Sequence, residues 1–280
     1  MFMPIGSRFH LKSQEEIEII RHSCLLVSAT LAEVAAHIKP GVKGIQLDTL
    51  AETFIRDHGA EPAFKGYPGS VSDFPASLCI SFNEVIVHGI PDQREIKEGD
   101  ILSVDCGVKM NGYFGDSAFT FAVGEITPEE MDLLVTTREC LDLAIAQAVA
   151  GNRLGDVGHA VQHHAEVVHG YGVIREMVGH GIGKKLHEPP EVYNYGKRGK
   201  GVVLHEGLTI AIEPMINMGS REVIMKKDGW TLITRDLKPS AHYEHTIAIQ
   251  KSAADVLSDH SGIDLAIKNN ANLSEVWIKR

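Results

Sequence analysis

Apolar residues near the start of the chain recur at intervals of three and four, which is the spacing of one face of an α-helix. Ser13 and Glu16 form a capping box at the beginning of this pattern, and Pro40-Gly41 stops it. The pattern therefore predicts a long amphipathic helix, followed by a shorter one that ends near Gly59. The long apolar stripe consists of Ile17, Ile20, Cys24, Val27, Leu31, Val34 and Ile38.

The pattern changes to that of strands after residues 60–78, a loop-like segment dense in Pro, Gly and Ser. Residues 79–90 predict one strand. Two further runs, 101–108 and 113–123, are rich in Ile, Val, Phe and Thr, which favour β-structure. Between them Met110-Asn111-Gly112 supplies residues that tolerate positive φ, so the two runs are predicted to form a β-hairpin.

Two aspartates lie on one face of this predicted hairpin. A loop of residues 110–111 places Asp105 opposite Asp116, whereas a loop of residues 111–112 makes Asp105 face Ala118, with Asp116 as its diagonal neighbour. Either register leaves the two carboxylates about 5–8 Å apart. Like charges among apolar neighbours repel and are poorly hydrated, so we expect a divalent metal, or a pair of them, between the two groups.

The second half of the chain repeats the order of the first. Thr127-Pro128 predicts a helix start, a shorter helix ends near Gly170, and strand-like residues 173–178 follow. Each half then has a His-Gly-Ile, a Glu-Gly turn and an acid seven residues after that glutamate. The repeat has a period of about 108 residues, which is longer than the roughly 20–50 residues of solenoid repeats. We therefore expect two copies of one α/β unit folded together. The marks are His88-Gly89-Ile90, Glu98-Gly99 and Asp105, then His180-Gly181-Ile182, Glu206-Gly207 and Glu213, with one more acid heading a strand at Asp116 and at Glu244.

Composition narrows the class of protein. The formal net charge of −10 argues against binding to nucleic acid, and four cysteines without CxxC spacing argue against a disulfide framework or a structural zinc site. We see no signal-peptide pattern and expect no apolar stretch of about 18 residues, so the predicted location is the cytoplasm. Among the 15 histidines, those in the predicted second-half helix are expected to be solvated or partly packed: His163, His164 and His169.

Four carboxylates and one imidazole make an oxygen-rich set that suits paired divalent metals. Taken singly, each has an ordinary alternative: a surface acid at a strand end, the partner of a lysine, or a turn histidine. The repeated order favours one shared site, because an unpaired charge beside Val/Ile-rich strands is costly. Two metals there would activate a water and polarise a carbonyl. The set is Asp105, Asp116, His180, Glu213 and Glu244, with His88 and His187 nearby in type.

Several stretches resemble type I methionine aminopeptidases, over about residues 11–250. They are NEVIVHGIPD (83–92), SVDCGV and GYFGDSAFTF (within 103–121), GHGIG and LHEPP (within 179–190), TIAIEPM (209–215), KDGWTLIT (227–234) and SAHYEHTI (240–247). The resemblance implies the pita-bread fold, an internally duplicated α+β fold with a curved antiparallel sheet backed by helices. It also implies removal of the N-terminal methionine ahead of a small second residue.

The resemblance assigns roles to the candidate residues. Asp116 and Glu244 would bridge two divalent ions (Co, Mn, Fe(II) or Zn), with Asp105, His180 and Glu213 as the other ligands. Three residues would be catalytic: Glu213 as proton acceptor, His187 at the tetrahedral intermediate and His88 near the scissile nitrogen. The methionine pocket would include Tyr67, Cys79 and Trp230, and a monovalent cation (Na or K) would lie at Asn83, Val85 and Ser240.

Departures and alternatives accompany this assignment. Leu186 stands where the family commonly has an aromatic residue, and loop 65–78 is longer than in the short form of the family. A prolidase-like enzyme of the same fold would carry a large N-terminal domain, a type II methionine aminopeptidase would carry an insertion after His187, and a catalytically inactive binding relative would lack metal ligands.

The predicted organisation is an N-terminal segment (1–12), one catalytic domain of two halves (13–250) and a tail of unassigned role (251–280). Expected partners are N-terminal Met peptides and nascent chains, with transient contact to the ribosome. We expect a monomer that binds neither nucleic acid nor membranes.

Overall fold

The predicted capping patterns begin the two longest helices. The structure, a computed structural model, describes residues 9–276, so parts of the predicted N-terminal segment and tail lie outside it. The Ser13 hydroxyl accepts from the Glu16 N–H and the Glu16 carboxylate accepts from the Ser13 N–H, and Thr127 and Glu130 repeat this arrangement. The helices are α1 (Gln14–His37), α2 (Gly44–Asp57), α3 (Pro128–Gln147), α4 (Leu154–Gln162), which a π-helix (His163–Val168) continues, and α5 (Ser261–Asn269).

The strands pair antiparallel in four sheets, whose orders are β1-β4-β5-β16 with β2 also on β4, β15-β14-β9-β7-β8, β13-β10-β6 and β11-β12-β3. Their bounds are β1 (Glu61–Pro62), β2 (Leu78–Phe82), β3 (Val85–Val87), β4 (Ile101–Met110), β5 (Tyr113–Val123), β6 (Gly172–Val173), β7 (Gly179–Gly181), β8 (Glu188–Val192), β9 (Thr209–Ile212), β10 (Met215–Asn217), β11 (Val223–Met225), β12 (Leu232–Thr234), β13 (Ser240–His242), β14 (His245–Ala248), β15 (Asp255–Val256) and β16 (Leu273–Ser274).

The two halves meet where β5 lies beside the chain that enters β14. The Glu244 N–H donates to the Ala118 carbonyl (3.0 Å), and the Thr246 hydroxyl donates to the Asp116 carbonyl (2.8 Å). One hydrophobic core runs from α1 through the first-half strands to α3, the second-half strands and α5. Strands of both halves are thereby held in register at the centre of the molecule.

Two predicted strands are wrong in extent. The run 79–90 is broken into β2 and β3 by a turn at Asn83, whose φ is 49°, and the run 173–178 contributes only Val173 to a strand. Both runs are apolar enough for strands, but tertiary packing rather than local preference decides where pairing stops.

Helix α1 contradicts the expectation that the chain has no apolar stretch of about 18 residues. Among the described residues it is the one helix long and apolar enough to cross a membrane by length and composition. However, 56% of its most apolar window is buried, and it packs on β4, β5, α2 and α5. These contacts are those of a core helix.

The tail is integrated into the fold. Strand β15 pairs with β14 of the second half, whereas β16 pairs with β5 of the first. Helix α5, with Ile263 buried, packs on α1, and the Asn270 amide donates to the carbonyls of Ala35 in α1 and of Ile38 at its C-cap, both at 2.8 Å. The division at residue 250 remains a prediction, but residues 251–276 share the core of both halves.

Candidate metal centre

The five predicted ligands line one cavity of about 290 Å³. The same cavity is lined by each residue predicted for catalysis or for the methionine pocket: His88, His187, Tyr67, Cys79 and Trp230. The fold therefore brings together residues that are up to 177 positions apart in the sequence, from Tyr67 to Glu244.

The hairpin places the two aspartates diagonally. Asp105 on β4 pairs with Ala118, and Gly107 pairs with Asp116 on β5, so the loop is Asn111-Gly112. This is the second of the two predicted registers. Both loop residues have positive φ, 51° and 81°, as a two-residue hairpin of this kind requires.

The second half supplies the other three predicted ligands. Glu213 directly follows β9, and Glu244 lies between β13 and β14. His180 is on β7, and its Nε2 lies 3.8 Å from Asp116 Oδ2 and 3.7 Å from Glu213 Oε1. Donor atoms of Asp116, His180 and Glu244 all lie within 4.8 Å of one another.

The ring orientation of His180 suits the metal ligand predicted at this position. Its Nδ1 lies 2.9 Å from the Gly181 carbonyl, which fixes this nitrogen as the N–H donor and leaves Nε2 unprotonated toward the carboxylates. Metal-binding histidines are commonly held in this way. Burial, followed by the neighbouring His187, lowers the pKa of His180 to about 3, so the ring is neutral at physiological pH.

The acids are buried without compensating cations. Asp105 Oδ1, Asp116 Oδ1 and Glu244 Oε1 are buried and have no hydrogen-bond partner, and neither Lys nor Arg lines the cavity among residues 9–276. Asp100, by contrast, is a buried acid that accepts from Arg94 and from the Asn83 amide. Unpaired buried carboxylates are costly, so the donor set fits divalent cations rather than an internal ion pair.

The same burial shifts the titration of each acid in the metal-free chain. It raises the pKa of Asp105 to about 7 and raises the pKa of Asp116 well above its usual range, with repulsion from Glu244 adding to the latter. Burial and the neighbouring aspartates raise the pKa of Glu213, and burial and Glu213 raise that of Glu244. Bound dications would reverse these shifts by stabilising the carboxylates.

An apolar compartment adjoins the carboxylates. Trp230 is fixed by a hydrogen bond from Nε1 to the Ser72 carbonyl (2.9 Å) and by edge-on packing with Phe74 at 5.2 Å between ring centroids. The residue in place of the family's aromatic, Leu186, is buried in the same wall. The wall consists of Phe64, Phe74, Cys79, Met177, Leu186 and Trp230.

The two other predicted histidines are positioned at this compartment. His187 Nδ1 lies 2.6 Å from the Tyr67 hydroxyl, so Tyr67 reaches the site despite the long loop before Cys79. His88 has a φ of 57°, a strained conformation for a residue other than glycine, and such strain concentrates at functional sites. Burial and the adjacent His187 lower the pKa of His88 to about 4, and burial lowers that of His187.

Several residues at or beside the cavity were not foreseen from the sequence. His242 is buried, and its Nε2 has no hydrogen-bond partner and lies 3.9 Å from Glu213 Oε2. A signal was present, because His242 and Glu244 are two apart and residues two apart in an extended segment share a face. Phe64, Phe74 and Met177 come from irregular segments that carry no such period.

The predicted monovalent-cation residues are also close together. The Ser240 N–H donates to the Asn83 carbonyl (2.8 Å), and β3, which contains Val85, packs on β13. The Asn83 side chain contacts Ile101 and Asp100, and the Ser240 hydroxyl donates to the Ile216 carbonyl and to Asn217 Oδ1.

Comparison with known proteins agrees with this geometry. A sequence model described as metallopeptidase family M24 matches residues 18–251. A methionine aminopeptidase of Clostridium acetobutylicum is 47% identical over 249 residues, covering 89% of this chain and 98% of the relative. The crystal structure of methionine aminopeptidase from Rickettsia prowazekii superposes with a TM-score of 0.87 at 37% identity, covering 90% of this chain and 100% of that one.

A more distant structure shares the fold alone. The prolidase from Pyrococcus furiosus has a TM-score of 0.73 at 23% identity, and the match covers 91% of this chain but 66% of the prolidase. These superpositions confirm the pita-bread fold predicted from the sequence. The sequence identity is higher to the methionine aminopeptidases than to the prolidase, and it therefore favours the former branch of the fold. The chain belongs to metallopeptidase family M24 and, within it, to the methionine aminopeptidases.

Proposed function

We propose that the chain removes the N-terminal methionine from peptides and proteins whose second residue is small, at a centre of two divalent metals. The observation that carries this proposal is the set of buried, unpartnered carboxylates beside an apolar pocket. Asp105, Asp116, His180, Glu213 and Glu244 would hold the metals, with Asp116 and Glu244 shared between them. The ligand set suits Mn, Fe(II), Co and Zn.

When bound, such a metal pair lowers the pKa of water and polarises the scissile carbonyl. The remaining steps belong to side chains. Glu213, one of the carboxylates that line the cavity, would accept the proton that the attacking water loses. This proton would then pass to the scissile nitrogen, beside which we place His88, so that the amine leaves in neutral form.

His187 stabilises the charge that develops on the attacked carbonyl oxygen. Its lowered pKa keeps the ring neutral, and its Nδ1 lies 2.6 Å from the Tyr67 hydroxyl. In the tautomer that this role needs, Nε2 carries the proton and Nδ1 accepts from Tyr67. A fixed N–H in a site closed to water is worth more than one in solution, and removing one such donor typically costs about 10²–10³ in kcat. The methionine side chain would pack among Phe74, Cys79 and Trp230, because a thioether suits an apolar, polarisable pocket.

Three peptides test the proposal after the chain has been loaded with metal: Met-Ala-Ser, Met-Lys-Ser and Ala-Pro. We expect release of methionine from the first alone. Cleavage of Ala-Pro alone would assign the chain to prolidase-type chemistry, and no turnover with metal bound would favour a binding protein. Asp105→Asn serves as the inactive control, whereas Asp100→Asn tests that loss of activity is specific to the cavity.

We also propose the biological setting that these features support. The chain would act in the cytoplasm as a monomer on nascent chains, in transient contact with the ribosome, where its substrates emerge. The four free, buried cysteines suit a reducing compartment. A monovalent cation, Na or K, would bind at Asn83, Val85 and Ser240 and brace β3 against β13.

A further inference from the structure

A second cluster of side chains that could bind a metal lies on helix α3, on the π-helix and at the residue that caps it, away from the cavity described above. It consists of Glu139, His164 and His169, none of which lines the active-site cavity. Their side chains are 24%, 19% and 25% exposed, so the cluster is half-buried yet open to solvent.

The π-helix is what brings the two histidines together. His164 and His169 are five residues apart, which on a regular α-helix of 3.6 residues per turn would separate them by about 140°. Here the His169 N–H donates to the His164 carbonyl (3.2 Å), and this wider turn stacks one residue over the other. Their ring centroids are 4.8 Å apart. Such π-turns are rare and occur frequently at functional sites.

Helix α3 contributes Glu139, the third candidate ligand, and the side chains that hold His169 in place. Glu139 Oε2 lies 2.8 Å from His164 Nε2. His169 Nδ1 lies 3.1 Å from the Thr136 hydroxyl and 3.6 Å from Asp132 Oδ2. Asp132 in turn accepts a hydrogen bond from the Tyr171 hydroxyl (2.6 Å). A histidine whose second nitrogen is held by a carboxylate or hydroxyl is oriented as metal-binding histidines are.

The donor set and its spacing suit zinc. Donor atoms of Glu139, His164 and His169 lie within 4.8 Å of one another. Tetrahedral ligands at about 2.0–2.1 Å from zinc are about 3.3 Å apart, so side-chain rotation alone would close the set. Two imidazoles and one carboxylate, with a fourth position open to water, favour zinc over the harder cations that prefer oxygen.

We propose that Glu139, His164 and His169 bind one zinc ion, which ties α3 to the π-helix independently of the active-site metals. The ion would replace the present contact between Glu139 and His164, with each imidazole presenting one nitrogen. It would act on stability, since no member of the cluster reaches the substrate cavity.

Zinc binding to the full-length chain tests this inference. Equilibrium dialysis over a range of free Zn²⁺, with bound zinc counted by atomic absorption, would compare the wild type with His164→Gln/His169→Gln. We expect the double variant to bind one zinc fewer per chain and to keep its rate of methionine release in Mn²⁺. Equal zinc content in the two proteins would overturn the proposal, because the cluster would then be an ordinary ion pair.

A matched control uses the neighbouring pair His159 and His163, whose rings are 5.7 Å apart on the preceding turn. His159→Gln/His163→Gln should bind as much zinc as the wild type, and loss of one zinc there instead would place the ion on α4 and contradict the inference. Glu139→Gln, which preserves side-chain volume, is a second variant should the double variant not fold. Saturating zinc should raise the Tm of Glu139→Gln by several degrees less than that of the wild type.

Discussion

The two halves build equivalent strand pairs in different ways. In the first half, β4 and β5 are joined by the two-residue turn Asn111-Gly112, so Asp105 and Asp116 come from one local hairpin. In the second half, β9 and β14 pair in the same antiparallel manner but are separated by residues 213–244.

This difference divides the work of the site between the halves. The short turn makes the first half a rigid carboxylate platform. The long excursion of the second half carries Trp230 to the apolar pocket and His242 to Glu213 before returning with Glu244. One half therefore contributes mainly proposed metal ligands, whereas the other contributes proposed ligands together with much of the proposed substrate pocket.

Removing one proposed metal ligand from either half should have the greatest consequence for activity. Asp105→Asn and Glu213→Gln should each lower metal affinity and methionine release by more than about 100-fold, since changes to outer partners of metal ligands alone cost 10–100-fold. Metal content after dialysis and kcat/KM measure the two effects. Asp100→Asn is the control, because this buried acid is already paired with Arg94. Full metal content in Asp105→Asn would exclude the first half from the centre.

The hairpin also shows how far the sequence could be used. Turn chemistry limited Asp105 and Asp116 to two registers, and both were compatible with a shared site. The acids of the second half, Glu213 and Glu244, were found through the repeat of Glu-Gly turns rather than through local pattern. The apolar wall was only partly foreseen, because Phe74 and Met177 come from irregular segments whose positions depend on tertiary packing.

The tail connects the two halves, and Ile263 tests that connection. Ile263 is fully buried where α5 packs on α1, so Ile263→Ala should lower the free energy of unfolding by about 2–5 kcal/mol. Leu265, which is 60% exposed on the same helix, is the control, and Leu265→Ala should change stability by less than about 0.5 kcal/mol. Urea unfolding measures both. Equal stability of the two variants would mean that the tail is not part of the core.

The equivalent turns of the halves differ in their tolerance of a side chain. Gly99 and Gly207 both have positive φ, 87° and 85°. An added Cβ at Gly99 would meet nothing closer than 3.8 Å, whereas at Gly207 it would lie 2.7 Å from the Lys12 carbonyl. Gly99→Ala should therefore cost about 1–2 kcal/mol, and Gly207→Ala should cost more. Denaturant midpoints with equal m-values would measure the difference, and a reversed order would contradict the packing of residue 12 on this turn.

The smallest effect concerns pH. Burial raises the pKa of Asp105 to about 7 and raises the pKa of Glu213, so the metal-free folded chain holds protons that the unfolded chain has lost above about pH 4–5. The metal-free chain should thus become less stable as pH rises from 5 through 7. Metal affinity should change in the opposite direction and rise at least about tenfold between pH 6 and pH 8, because binding expels those protons. Calorimetry in buffers of different ionisation enthalpy counts the protons released on metal binding. A metal affinity that does not change with pH would contradict the raised pKa values.

Anomalous diffraction from crystals soaked in Mn²⁺ would locate the metals in the cavity. We expect two peaks about 3.5–4 Å apart, as in other two-metal sites, with Asp116 and Glu244 touching both. No peak there after soaking, or carboxylates turned away to Lys or Arg side chains, would contradict the claim that the two halves jointly bind a metal pair.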